Sequence, residues 1–229
     1  VQDLGMIKLI NDNFPNLKIT ASTQMNVGSS KAINFLSNYK VKRVVLPREL
    51  NILDIKKIRE NTTVEIETFV HGALCVSYSG LCLFSSYFGG KSANRGKCSQ
   101  PCRRLYHSKE GGKRGYYFSP NDLSLIEHIP DLIDTGVTSI KLEGRMKSAS
   151  YVATIVRAYR HLIDNYQTDR ELAITQSKKI LEGDFAREKT KYFFIDKDNL
   201  NYINPNTSGE TGIPLGKIAK IKKIENNTM

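Results

Sequence analysis

The feature that most constrains the fold of this chain is a repeated switch in apolar spacing. Short segments of strand-like apolar pattern alternate with longer ones of helical period. Leu17 to Ser22 reads as a strand. Ser29 to Tyr39 reads as a serine-capped helix with Ala32, Ile33, Phe35 and Leu36 on one side. Val41 to Leu46 is the next strand, ended by Pro47. Asn51 to Glu60 is a helix burying Ile52, Leu53, Ile55 and Ile58, and Thr63 to Val70 is a third strand. A helix over Pro120 to Thr135 capped by Ser119, a strand over Val137 to Leu142 and a long helix over Ser148 to Tyr166 continue the series. Such repeats imply parallel strands covered by helices, so the expected class is α/β. An open doubly wound sheet and a TIM-type (β/α)8 barrel both satisfy the pattern. No GxGxxG or GxxxxGK(S/T) occupies a strand–helix turn, which disfavours a nucleotide-binding open sheet. A barrel needs eight strands, so half of it would lie before Val1. The chain has no initiator Met and opens on Val1-Gln2-Asp3-Leu4-Gly5, which reads as the end of an element. The expectation is a fragment of a longer protein.

Two regions break the alternation. Residues 72–115 have no clean period and are rich in Gly, Ser and Cys. A loop this long within a compact domain is usually functional. Beyond Asp169 a helix over Glu171 to Glu182 is followed by strand-like Tyr192 to Ile195 and Leu215 to Ile224. The expected division is 1–168, a partial barrel carrying the loop 72–115, and 169–229, a helical linker with the start of a small β-rich module.

All four cysteines, Cys75, Cys82, Cys98 and Cys102, fall within 28 residues of a 229-residue chain. Disulfides need an oxidising compartment, and the first ten residues carry no export signal. No apolar run approaches the roughly 20 residues of a membrane helix. The expectation is a cytoplasmic protein with no membrane partner and one thiolate site. Zinc sites favour tight Cys pairs with two to four intervening residues. Only Cys98 and Cys102 are that close, so the spacing leans toward an iron–sulfur cluster, with zinc as runner-up. Four unrelated buried thiols are the bland alternative, and their clustering argues against it.

The net charge is +11, and it is uneven. From Lys91 to Arg114 there are eight Lys or Arg against the single Glu110. Nucleic acid is the expected acidic partner, an anionic membrane surface the weaker candidate, with Arg95, Lys97, Arg103 and Arg104 where RNA phosphates could dock.

The stretch Glu67-Thr68-Phe69-Val70-His71-Gly72-Ala73-Leu74-Cys75, with Ser79-Gly80-Leu81-Cys82 and Ser85, resembles the signature of the U32 family, historically a peptidase family. The segments from Ala93 to Arg103, Ser119 to Leu123 and Ile140 to Ser148 are similar to the same family. The resemblance implies a TIM-type barrel, with the end of strand four and strands five to eight in this chain. It places the cysteine loop after strand seven, on the face where barrel enzymes keep their active sites. It also implies oxygen-independent hydroxylation, either of a tRNA wobble uridine with prephenate as small-molecule donor or of a 23S rRNA cytidine. A ubiquinone branch of the family is associated with 4Fe–4S sites on four cysteines. Other members are called collagenase-like proteases. A second family subunit is a further expected partner.

A protease needs an activated nucleophile or a metal-bound water. The chain has neither HExxH nor GxSxG, and its best pair is His71 with Cys75. That pairing would consume one of the clustered thiols. His107, His128 and His161 read as loop, helix surface and helix stripe. Glu67 on strand seven, with Glu143 and Arg145 at the end of strand eight, are candidates for the pocket mouth. Glu67, His71 and Glu143 carry the expected catalytic roles, and a structural salt bridge is the alternative for the Glu–Arg pair. Gln24, Arg48 and Arg145 are the expected substrate contacts, the arginines clamping a carboxylate such as that of prephenate. The reading is an iron–sulfur-dependent RNA hydroxylation enzyme. A peptidase and a non-catalytic cluster-binding subunit are its alternatives.

Overall fold

The computed structural model describes residues 1–107, 111–195, 201–209, 217, 218 and 220. Helix α1 spans Leu4–Asn13, capped by Asp3, whose carboxylate accepts from the Met6 amide at 2.9 Å. The sequence reading has no counterpart for it. Its apolar stripe is weak, since Ile7 is buried while Leu4, Met6 and Leu9 are exposed.

The expected series follows: β1 (Ile19–Ala21), α2 (Ser30–Ser37), β2 (Val41–Val45), α3 (Ile52–Glu60) and β3 (Glu65–Ala73). Ser29 caps α2, and Asn51 with Asp54 forms a capping box on α3. After the cysteine region with its short helix α4 (Phe84–Gly89) come β4 (Asp122–Ser124), α5 (Ile129–Asp134), β5 (Ser139–Leu142) and α6 (Ala149–Asn165). Helix α7 (Arg170–Leu181) packs on α6, and β6 (Lys189–Thr190) ends the described regular structure.

Strands β1, β2, β3 and β5 lie side by side in chain order and are parallel. Strand β4 runs antiparallel along the end of β3, and β6 pairs with β4. The molecule is therefore α/β with a mostly parallel sheet, and the sheet does not close among the described residues. The Val1 amino group donates to the Thr20 carbonyl at 2.8 Å and the Ser22 amide to the Val1 carbonyl at 2.7 Å, a parallel bridge opposite Ala21.

One core unites the helices with the sheet. Ile33 and Leu36 of α2, Ile55 and Ile58 of α3, and Ile155 and Leu162 of α6 are buried with Val44 and Ile66. Each such side chain contributes about 1.5–3 kcal/mol relative to exposure. Alternate residues of β3 carry charge instead. Glu65 and Glu67 pair with Arg43 of β2 at 2.7 and 3.4 Å, and Lys141 of β5 reaches Glu67 at 3.4 Å. The alternation breaks at a bulge, where Phe69 and His71 oppose the consecutive residues Lys141 and Leu142. Phe69 faces Arg48 and Lys141, whereas His71 packs against Tyr159 of α6.

Two expected elements differ. The helix expected over Pro120 to Thr135 begins only at Ile129, with Pro130 in its first turn. Its front half is β4 followed by a 3-10 turn over Ile126–His128, because the amides of Asp122 and Leu125 donate to the carbonyls of Glu188 and Val70. Tertiary partners thus override a helical apolar pattern. The strand expected over Tyr192 to Ile195 is a turn, since Tyr192 has φ 51° and the Phe194 amide donates to the Lys191 carbonyl. The strand lies earlier, at β6. The expected strand Leu215 to Ile224 falls largely outside the described residues.

Candidate functional site

The region between β3 and β4 lies across the C-terminal ends of the four parallel strands, and each end holds it by named contacts. At β3, Gly72 has φ +104°, and a Cβ there would sit 2.3 Å from the Glu143 carbonyl oxygen. Only glycine lets β3 and the end of β5 approach that closely. At β1, Gln24 donates to the Asn94 carbonyl at 3.2 Å, and Asn94 donates to the Gly80 carbonyl at 3.1 Å. At β2, Glu49 accepts from the Ser79 amide at 2.9 Å and from its hydroxyl. At β5, Arg145 donates to the Gly96 carbonyl at 3.0 Å, while the Glu143 carboxylate accepts from the Arg145 amide at 2.9 Å.

All four thiols are free, Cys75 and Cys98 exposed and Cys82 and Cys102 half-buried. They lie within one another's electrostatic reach. The protein around Cys75, with Cys82 and Cys98 nearby, pushes its thiol above the usual range. Burial lifts Cys102 to about 11 against the pull of Arg103. Cys98 accepts from the Gln100 amide at 3.4 Å and contacts the buried Ser85 hydroxyl at 3.8 Å. Among the described residues no three His, Cys, Asp or Glu side chains close around a single metal-ion position. Four thiols are the donor set that either an iron–sulfur cluster or a zinc ion takes.

Arg48 is the cation at the centre. Its guanidinium stacks on Phe69 at 3.8 Å from the ring centroid and makes no hydrogen bond or ion pair among the described residues. Burial lowers its pKa, while Cys75, Glu143 and Glu49 around it work to raise it. A half-buried guanidinium with unused donors, at the strand ends beside the thiols, has the chemistry to receive an anion.

The other expected site residues have different work. Gln24 and Arg145 hold the loop rather than standing free. Glu67 lies within the sheet, bound by Arg43, Lys141 and the Ser139 hydroxyl at 3.1 Å. His71 is fully buried, with Nδ1 3.2 Å from the Tyr159 hydroxyl and Nε2 3.3 Å from the Asp184 carboxylate. Both ring nitrogens are taken, neither by a thiol, so the His71–Cys75 pair does not form. Burial lowers the His71 pKa. Burial opposes ionisation of Asp184, but hydrogen bonds from His71 and Lys189 hold its carboxyl below the usual range. Arg103 is turned inward to the Ser119 hydroxyl at 2.8 Å, the Leu74 carbonyl at 3.0 Å and the Pro120 carbonyl. Burial brings it down to about 10, still cationic at neutral pH. Arg95, Lys97 and Arg104 remain exposed.

The sequence reading missed Glu49, Tyr159 and Asp184. Glu49 had a signal in its place beside Arg48 just past a strand, but the other two meet His71 from 88 and 113 residues away. A cavity of about 440 Å³ lies away from the thiols, between α7 and β6. Its cations Lys178, Arg187, Lys189 and Lys191 are all paired with carboxylates, so it offers no unpaired cation.

The chain is 41% identical over 181 residues to a tRNA hydroxylation protein of Bacillus subtilis, covering 74% of this chain and 43% of that protein. It is 38% identical to an uncharacterized protease of Methanocaldococcus jannaschii, covering 97% of this chain and 59% of the relative. It is 35% identical to a 23S rRNA 5-hydroxycytidine synthase of Escherichia coli, covering 97% and 36%. The chain thus spans roughly a third to three-fifths of these relatives. No solved structure matches it at a significant level. The model of peptidase family U32 matches residues 1–204, which include every strand among the described residues, the cysteine loop and its anchors, and the chain belongs to that family.

Proposed function

We propose that this chain forms part of an RNA hydroxylation protein whose four cysteines hold a 4Fe–4S cluster. The observation that carries the reading is four free thiols within one another's electrostatic reach, in a loop with exposed cations across the C-terminal strand ends, beside Arg48, which makes no ion pair among the described residues. Relatives named for tRNA and 23S rRNA hydroxylation support RNA as the substrate. Cys75, Cys82, Cys98 and Cys102 would hold the cluster, which supplies one-electron redox chemistry when bound. Arg48 orients the carboxylate of a small donor such as prephenate, with Glu143 beside it. Arg95, Lys97 and Arg104 meet RNA phosphates. The order of four neighbouring parallel strands supports reading them as strands five to eight of a (β/α)8 barrel.

The peptidase reading is weaker. A cysteine nucleophile needs a lowered pKa and a nearby base, whereas Cys75 is pushed up and His71 is engaged elsewhere. Two measurements test the proposal. Full-length protein purified without oxygen is expected to contain iron and sulfide, and a Cys98→Ser, Cys102→Ser variant to lack both. Nucleosides from tRNA and rRNA of a deletion strain are expected to lose a hydroxylated pyrimidine, restored by wild type and by Glu67→Gln but not by the double cysteine variant. An unchanged nucleoside profile in the deletion strain sinks the RNA reading. Cleavage of a collagen-like peptide that depends on Cys75 and His71 would install the peptidase in its place.

A further inference from the structure

Helix α4 turns its large side chains outward. Tyr87 is 85% exposed, Phe88 55%, and Leu83 just before the helix 71%. So short a helix holds such a surface only if anchored beneath. Phe84 supplies the anchor. Its ring meets Phe88 at 5.1 Å and Phe118 at 5.9 Å edge-on, and stacks with Tyr106 at 6.5 Å. Tyr106 is fixed by its hydroxyl to the Pro101 carbonyl at 2.8 Å and by a backbone bridge to Gly115. The buried Ser85 of the same helix joins Cys98 and accepts from the Ser99 amide at 3.1 Å. The exposed rings are therefore built into the same framework as the thiols.

The rim around them is cationic. Lys91, Arg95, Lys97 and Arg104 are exposed, and none makes an ion pair among the described residues. Exposed ring faces beside unpaired cations suit an unpaired stretch of nucleic acid, whose bases stack on the rings while its phosphates meet the charges. A second copy of the chain fits poorly, because a two-fold contact through this patch would set like charge against like.

We propose that Tyr87 and Phe88 are a stacking platform for an unpaired base of an RNA loop, with Lys91, Arg95, Lys97 and Arg104 guiding the flanking phosphates past the thiols. The inference rests on the RNA reading and adds to it the residues on which an unpaired base would stack.

The test uses the full-length protein, a stem–loop RNA with a fluorescent purine analogue in its loop, and a duplex of the same composition. Wild type is expected to bind the stem–loop about tenfold or more tighter than the duplex and to quench the analogue. Tyr87→Ala alone leaves the Phe84–Phe88 contact in place and should weaken stem–loop binding while preserving the fold; Tyr87→Ala with Phe88→Ala removes both rings of the platform. It should lose about tenfold to a hundredfold on the stem–loop, abolish the quench and leave the salt dependence unchanged. Arg95→Gln with Lys97→Gln should weaken both RNAs and flatten the salt dependence, by about 0.7 per lost contact on single strands. Equal wild-type affinity for loop and duplex overturns the proposal, as does wild-type binding by the ring variant. A dimer that the ring variant dissolves with RNA affinity unchanged also overturns it, reassigning the patch to self-association. Each of these results leaves the hydroxylation reading standing, since that is decided by the nucleoside profile.

Discussion

Gly80 decides whether the cysteine loop can reach the end of β1. It has φ +78°, and a Cβ there would lie 2.2 Å from the Gln24 carbonyl oxygen. Gly89, nine residues on, has nothing within 4 Å of its Cβ position. Gly80→Ala is expected to lift the loop away from Gln24 and Asn94 while leaving the helix–sheet core intact. Iron content per chain should fall with little change in far-ultraviolet circular dichroism, and Gly89→Ala should match wild type. Equal iron in both variants would show that this contact does not position the thiols. The residue types in this region were legible in the sequence. The role of each glycine was not, because a close backbone approach comes from a partner 56 positions away in the chain.

Between elements, Arg103 does the joining. One guanidinium ties the turn Pro101–Arg103, which carries Cys102, to the end of β3 at Leu74 and to the entry of β4 at Ser119 and Pro120. Lysine has one ammonium and no planar fork, so Arg103→Lys cannot reach all three acceptors. The expected loss is about 2 kcal/mol, confined to the loop. Limited proteolysis should cut between β3 and β4 faster than in wild type while the main thermal transition moves little; an unchanged cleavage rate would remove this role. In the sequence Arg103 is one member of a basic run and reads as an RNA contact. Its inward turn depends on backbone carbonyls from two strands, and no local pattern reports them. By contrast, α2, α3 and α6 were legible almost to their caps, since capping and apolar period are local properties.

Across the whole molecule, acidic residues bind the stretch from α7 to β6 onto the rest. Glu127 pairs with Lys178 of α7 at 2.5 Å and Lys191 at 2.8 Å, and Asp184 pairs with Lys189 at 2.6 Å and contacts His71. The hydrogen bonds from Lys178 and Lys191 hold the Glu127 carboxyl at about 2, against an ordinary 4.5. A carboxyl lowered on folding stabilises above its unfolded pKa, and that contribution fades as pH falls through the folded one. Wild type should therefore lose melting temperature between about pH 4.5 and about pH 2 more steeply than Glu127→Gln. Parallel slopes for the two proteins would dismiss the pairing as a source of stability. By itself the sequence determined the α/β class, parallel strands covered by helices, the clustering of the cysteines and the family, because apolar period and motif are written in adjacent residues. Only the tertiary structure decided that β4 replaces the front of a helix, that His71 meets Tyr159 and Asp184 while Glu67 meets Arg43 and Lys141, and that Arg48 has no ion pair among the described residues. Those outcomes turn on hydrogen-bond and charge partners that meet through folding, and partners distant in the chain leave no periodic trace along it.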